Sequence, residues 1–82
     1  MFITYILYSQ SVAKYYTGHC EDFGIRLSQH NSGRNKSTKY GIPWVLVYSQ
    51  NFITRSEAIL LESAIKKRGA KRFLLDQNIQ IG

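Results

Sequence analysis

The chain has 82 residues, 44% of them apolar, with six tyrosines, four phenylalanines and one tryptophan, and its formal charge is +6. That length holds one modest core, and that apolar content excludes a disordered polyelectrolyte. One cysteine, Cys20, excludes an internal disulfide, no Cys/His spacing suggests a zinc site, and no apolar run approaches the roughly 18–20 residues that cross a bilayer.

Residues 1–8 are apolar but lack a basic leader segment and a small-residue cleavage site, so they read as a strand rather than a signal peptide. A reducing cytoplasm is the expected location. In this strand Ile3, Tyr5 and Leu7 share one face, and Phe2, Thr4, Ile6 and Tyr8 share the other. Apolar residues on both faces predict a strand with little exposed surface. Ser9-Gln10-Ser11 breaks it, and Lys14 to Gly18 is expected to return as the second arm of a hairpin. Gly18 has no side chain, which lets a phosphate or a neighbouring backbone come close.

Asp22 is a good N-cap for a helix running to Asn31, and Ser32-Gly33 stops it. On that helix Phe23, Arg26, Leu27 and His30 share one face, and the two apolar members turn it towards the sheet. Arg26 and His30 therefore lie one turn apart, at the inner face or its edge. A buried guanidinium is costly without an anion, which here is either a structural carboxylate or a substrate phosphate. Residues 33–41 form a basic polar loop. Its Arg34, Lys36 and Lys39 suit contact with a phosphate backbone, or simply a solvated surface. Pro43 fits the first position of a third strand, expected over about residues 44–50.

Thr54 and Glu57 have capping-box spacing, so a second helix is expected to Arg68, with Gly69 as its stop. Ala58, Leu61, Glu62 and Ile65 share a face, which leaves Glu62 as a lone carboxylate on an apolar stripe. Its ordinary role there is half of an ion pair, with Arg26 as the candidate partner. Lys66, Lys67 and Arg68 close the last turn, which suits the helix dipole as well as a polyanion. Ala70 to Leu75 reads as a short third helix with Phe73 and Leu74 able to cap the core, and residues 76–82 as a loosely held tail. The expected class is α+β: a small three-stranded antiparallel sheet flanked by two main helices plus a short C-terminal helix. One domain is expected over 1–82, with its core at about 1–75. Nine of the eleven basic residues follow residue 33. That asymmetry favours a polyanionic partner, nucleic acid first, and no membrane.

The triplet Ile3-Thr4-Tyr5, a gap of ten residues, then Tyr16-Thr17-Gly18 resembles the signature of the GIY-YIG nuclease superfamily. The runs from Arg26 to Gly33 and from Ser56 to Glu62 extend the likeness, which covers roughly residues 1–75 and is similar to the small stand-alone bacterial members. The resemblance implies an active site of Tyr5, Tyr16, Arg26 and Glu62, with His30 one turn beyond the arginine. It implies that Glu62 holds one Mg²⁺ or Mn²⁺ ion, that Tyr16 or Tyr5, assisted by His30, activates water, and that Arg26 stabilises the charge developing on phosphorus. Gly18, Arg34, Lys36, Lys39, Lys66 and Lys67 are the expected nucleic-acid contacts. The implied activity is metal-dependent endonucleolytic hydrolysis of DNA, or of RNA, structure- rather than sequence-directed, in repair or recombination, with any specificity left to a protein partner. Two positions depart from larger members: His19 stands where some have a lysine, and Leu74 where many have an asparagine. An alternative is therefore a nucleic-acid-binding GIY-YIG module with weak or no catalysis.

Overall fold

A computed structural model describes residues 1–80. Its strands are β1 (Phe2–Ser9), β2 (Lys14–Cys20) and β3 (Trp44–Phe52), and its helices are α1 (Phe23–Asn31), α2 (Arg55–Arg68) and α3 (Ala70–Asp76). The three strands form one antiparallel sheet in the order β2-β1-β3, which is the expected α+β architecture. β1 is central, and this is why both its faces are apolar. Tyr5 and Leu7 join Cys20 and Trp44 in one cluster, closed by Phe23 and Leu27 of α1. On the opposite face Ile6 meets Ile65 of α2 and Leu74 of α3, flanked by Leu61 and Phe73. No helix among the described residues is long and apolar enough to cross a membrane.

Local chemistry sets the helix ends as the sequence implies. The Asp22 carboxylate accepts the Ile25 N–H at 3.1 Å at the start of α1. Thr54 and Glu57 form a complete capping box at the start of α2. The Thr4 hydroxyl donates to the Ala58 carbonyl at 2.7 Å and pegs the first turn of α2 to the central strand.

Three segments differ from expectation. β2 continues past Gly18 to Cys20, because Thr4 and Ile3 of β1 offer ladder partners to His19 and Cys20. β3 begins at Trp44, leaving Pro43 just outside, and runs to Phe52, which pairs with Phe2. The tail is partly held: Ile79 packs on the second cluster and its N–H donates to the Leu74 carbonyl at 2.8 Å. Ile81 and Gly82, the end of that expected loose tail, lie outside the described residues.

The hairpin loop Gln10–Ala13 is short, with Ala13 at φ 53. The long α1–β3 connection instead folds beneath Trp44. The Asn31 side chain brackets the Trp44 backbone, donating to its carbonyl at 3.0 Å and accepting from its N–H at 2.6 Å. The Trp44 indole N–H donates to the Thr38 carbonyl at 2.6 Å. Gly41 lies against that ring, and a Cβ there would collide with Cζ2 and Cε2 of the indole. Since the ring is buried and its N–H is engaged, it has nowhere to retreat. Gly41→Ala is therefore expected to cost about 1–3 kcal/mol, as overpacking does. In a domain this size each kcal/mol lowers Tm by roughly 4–8 °C, so thermal unfolding followed by circular dichroism checks it.

Candidate active site

Side chains along β2 alternate between the two sheet faces, and β2 is an edge strand. Tyr16, Gly18 and Cys20 look towards α1; Thr17 and His19 look towards α2. Residues from opposite faces can meet only around this edge, and Gly18 makes the crossing possible. The Tyr5 phenol from the adjacent strand lies across it: a Cβ on Gly18 would be 2.8 Å from the Tyr5 oxygen and 3.0 Å from Cζ. Any other residue would push the phenol away.

Tyr5 is fixed by His30. The Tyr5 hydroxyl and His30 Nε2 are 3.0 Å apart, and His30 Nδ1 lies 2.9 Å from the Thr38 hydroxyl. Thr38 Oγ1 also donates to the Asn35 carbonyl at 3.4 Å, which favours a ring carrying its proton on Nδ1 and accepting from Tyr5 at Nε2. His30 is 0% exposed, deeper than a place at the rim of α1 implies, and both its nitrogens are engaged within the protein. Burial, reinforced by the Arg26 charge, holds its pKa below the ordinary histidine value, so the ring is neutral. Burial likewise pushes the Tyr5 phenol up, with Tyr16 adding to it, far enough that the group stays protonated. Tyr16 is half-buried, its ring 4.8 Å from that of His30 and 6.5 Å from that of Tyr5. Its hydroxyl makes no hydrogen bond among the described residues.

Glu62 reaches the edge from the other face. Its Oε1 lies 2.5 Å from His19 Nδ1 and its Oε2 lies 2.7 Å from Lys66 Nζ, one helical turn on. These are its ion-pair partners, in place of the Arg26 that the sequence suggested; a helix on each face of the sheet keeps those two side chains from pairing. Burial raises the Glu62 carboxyl, but hydrogen bonds from Lys66 and His19 outweigh it and the net shift is downward, so the group is a carboxylate. Its charge is the smallest of those that raise the Tyr5 phenol. Arg26 is half-buried, makes no salt bridge among the described residues, and borders a groove of about 450 Å³ with His19, Asp22 and Arg55. Arg34, Lys36, Lys39 and Lys67 are exposed and unpaired among the described residues, and none of them bonds to the tyrosine–histidine–glutamate group.

His19, which the sequence expectation places outside the site, orients Glu62. Alternation from Thr17 puts it on the α2 face, a signal that an expected end of β2 at Gly18 leaves out.

The GIY-YIG catalytic domain family matches residues 1–74. The chain belongs to the GIY-YIG family. A UPF0213 protein of Streptococcus pneumoniae serotype 4 is 39% identical over 67 residues, which are 78% of this chain and 68% of that one. A UPF0213 protein of Staphylococcus epidermidis is 42% identical over 52 residues, 62% of this chain and 63% of that one. The solution NMR structure of a UPF0213 protein from Bacillus halodurans superposes with a TM-score of 0.56 at 31% identity, over 94% of this chain and 85% of that one. GIY-YIG is a nuclease family, typically dependent on a divalent metal, and its substrate class is nucleic acid.

The neutral, buried His30 links this GIY-YIG site to stability. Its folded pKa lies below the value of about 6.5 for the unfolded chain, so below that pH the unfolded state takes up a proton that the native state refuses. Stability is therefore expected to fall as pH drops through about 6.5, and His30→Gln is expected to flatten that slope. Urea midpoints between about pH 7.5 and 5.5 measure it, and an equal slope in the variant rejects the assignment.

Proposed function

We propose that this chain is a metal-dependent endonuclease that hydrolyses phosphodiester bonds in nucleic acid, DNA before RNA. The observation that carries the reading is the Tyr5 phenol lying over Gly18 of edge strand β2, while His19, the next residue of that strand, holds Glu62 on the opposite face.

The donor set fits one hard cation. Mg²⁺ keeps much of its water and is commonly held by one or two carboxylates plus substrate phosphate oxygens, so Glu62 alone suffices on the protein side. Bound there, the ion supplies charge neutralisation at a phosphate oxygen. His19 orients the carboxylate, as outer partners of metal ligands do. Lys66 is exposed and free to swing from Glu62 to a phosphate.

Arg26, half-buried without a carboxylate partner, is suited to grip the scissile phosphate and oppose the charge that develops on it. Tyr5, kept protonated and with its one O–H given to His30 Nε2, offers water only an acceptor oxygen and is not the base. Tyr16, half-exposed and with its hydroxyl unengaged among the described residues, is the side chain suited to act as base: it first gives its own proton to solvent, and as phenolate takes the proton from the attacking water. His30 is a positioning residue that acts through Tyr5. Cleavage is structure- rather than sequence-directed, in repair or recombination, and a protein partner supplies any sequence preference.

A second reading rests on the same carboxylate. With both oxygens of Glu62 in contact with cationic or proton-donating partners, the chain can serve as a nucleic-acid-binding module with weak or no catalysis. One experiment separates the two. Labelled single-stranded, duplex and branched substrates are incubated with Mg²⁺ or Mn²⁺. Glu62→Gln and Tyr16→Phe are each expected to lower the cleavage rate by about 100-fold or more, the scale of losing one transition-state contact. If the native chain nicks nothing above the Glu62→Gln level yet binds in a salt-dependent manner, the binding module replaces the nuclease.

A further inference from the structure

Two grooves flank the Tyr5–Gly18–Glu62 centre along the edge of β2, and they differ in charge. The one towards Cys20 is balanced: Arg26 and Arg55 face Glu21 and Asp22, and Arg55 is already bound to Glu21 at 2.9 Å. The one towards the hairpin, about 550 Å³, is bordered by Lys14, Tyr15, Tyr16, Thr17, Lys66 and Ala70, and contains no carboxylate. Lys14 is exposed and makes no ion pair among the described residues, and the Thr17 hydroxyl makes no hydrogen bond among them. Tyr15 adds an aromatic face, partly covered by Tyr8, whose ring is 4.9 Å away. A volume of that order is in the range of small-ligand sites. Lys66 is held by Glu62 at 2.7 Å, so Lys14 is the charge of this groove without an ion pair among the described residues. That ammonium with Lys66 beside it, a hydroxyl and an aromatic surface together match a nucleotide, phosphate and base at once.

The same end of the sheet carries further basic residues. Lys14 pairs with Ser9, and Ser9 pairs with Trp44, beneath which the loop bearing Arg34, Lys36 and Lys39 is folded. Lys66 and Lys67 lie in the last turn of α2.

The geometry points to a directional substrate path: the nucleic-acid strand leaves the scissile position over Gly18 and runs along β2 towards the hairpin, its next phosphate held by Lys14 with Lys66 in the Tyr15-lined groove. This rests on the nucleic-acid reading above and adds to it a subsite, a direction and a residue, Lys14.

The test is binding without turnover. Fluorescence anisotropy of a labelled single-stranded oligonucleotide is recorded in EDTA, from about 25 to 200 mM salt, for the native chain, Lys14→Ala, Lys14→Arg and Arg55→Ala. Lys14→Ala is expected to weaken binding about 3–10-fold and to lower the salt slope by roughly 0.7, the value for one phosphate contact on a single strand. Lys14→Arg is expected to restore both. Arg55→Ala, which removes the same charge from the balanced groove, is expected to change affinity less than about twofold. Unchanged affinity and slope in Lys14→Ala, or an equal loss in Arg55→Ala, overturns the path while leaving the nucleic-acid reading intact. A native chain that binds no oligonucleotide at any salt overturns both.

Discussion

The hydrogen bond between Tyr5 and His30 is the constraint from which much else in this structure follows. It joins the middle of the central strand to the last turn of α1 directly. Through Nδ1 the same ring reaches Thr38, and through the Thr38 carbonyl it reaches the Trp44 indole, so four elements are tied by one buried polar chain. A chain of this kind is worth having only if every member is satisfied, because an orphaned polar atom in a low-dielectric interior is expensive. That condition is met: among the described residues no buried side-chain nitrogen or oxygen lacks a partner. The chain fixes the orientation of the Tyr5 ring, and with it the place of the phenol over Gly18.

A β-sheet ordinarily keeps the residues of its two faces apart. Here α1 and α2 lie on opposite faces, and each brings part of one polar group. Two features defeat the separation. β2 is an edge with no strand beyond it, and Gly18 removes the one side chain that would stand between Tyr5 and the far side. Thr4 completes the arrangement from beneath, since its bond to Ala58 sets the height of α2 one turn before Glu62. The carboxylate is then held laterally by His19. The site depends on short-range positioning of a few atoms by a small, well-packed frame.

Much of this was legible in the sequence because it follows from period and punctuation. Alternation in residues 2–9 with apolar side chains on both faces can only be a covered strand, and it is. Asp22 and the Thr54–Glu57 pair announce their helices because capping is a local interaction that needs no tertiary contact. The faces of those helices, and hence the inward turn of His30 and of Glu62, followed from their spacing. What could not be read was which partner each polar group would choose. Glu62 was open to Arg26 as far as charge is concerned; the sheet between them decides for His19 and Lys66. The extension of β2 to Cys20 depends on ladder partners from β1, which residues 19 and 20 do not advertise by propensity. The docking of Ile79 depends on a vacancy beside Leu74 that exists only after α3 has packed.

The site also joins distant parts of the chain. Both tyrosines, Gly18 and His30 lie within the first 30 residues, whereas Glu62 is carried by α2. Partial opening of a native protein proceeds by segments. A transient lifting of α2 from the sheet would carry the carboxylate away while the Tyr5–His30 bond stays closed, so the two halves of the group can part company without loss of the cluster beneath α1.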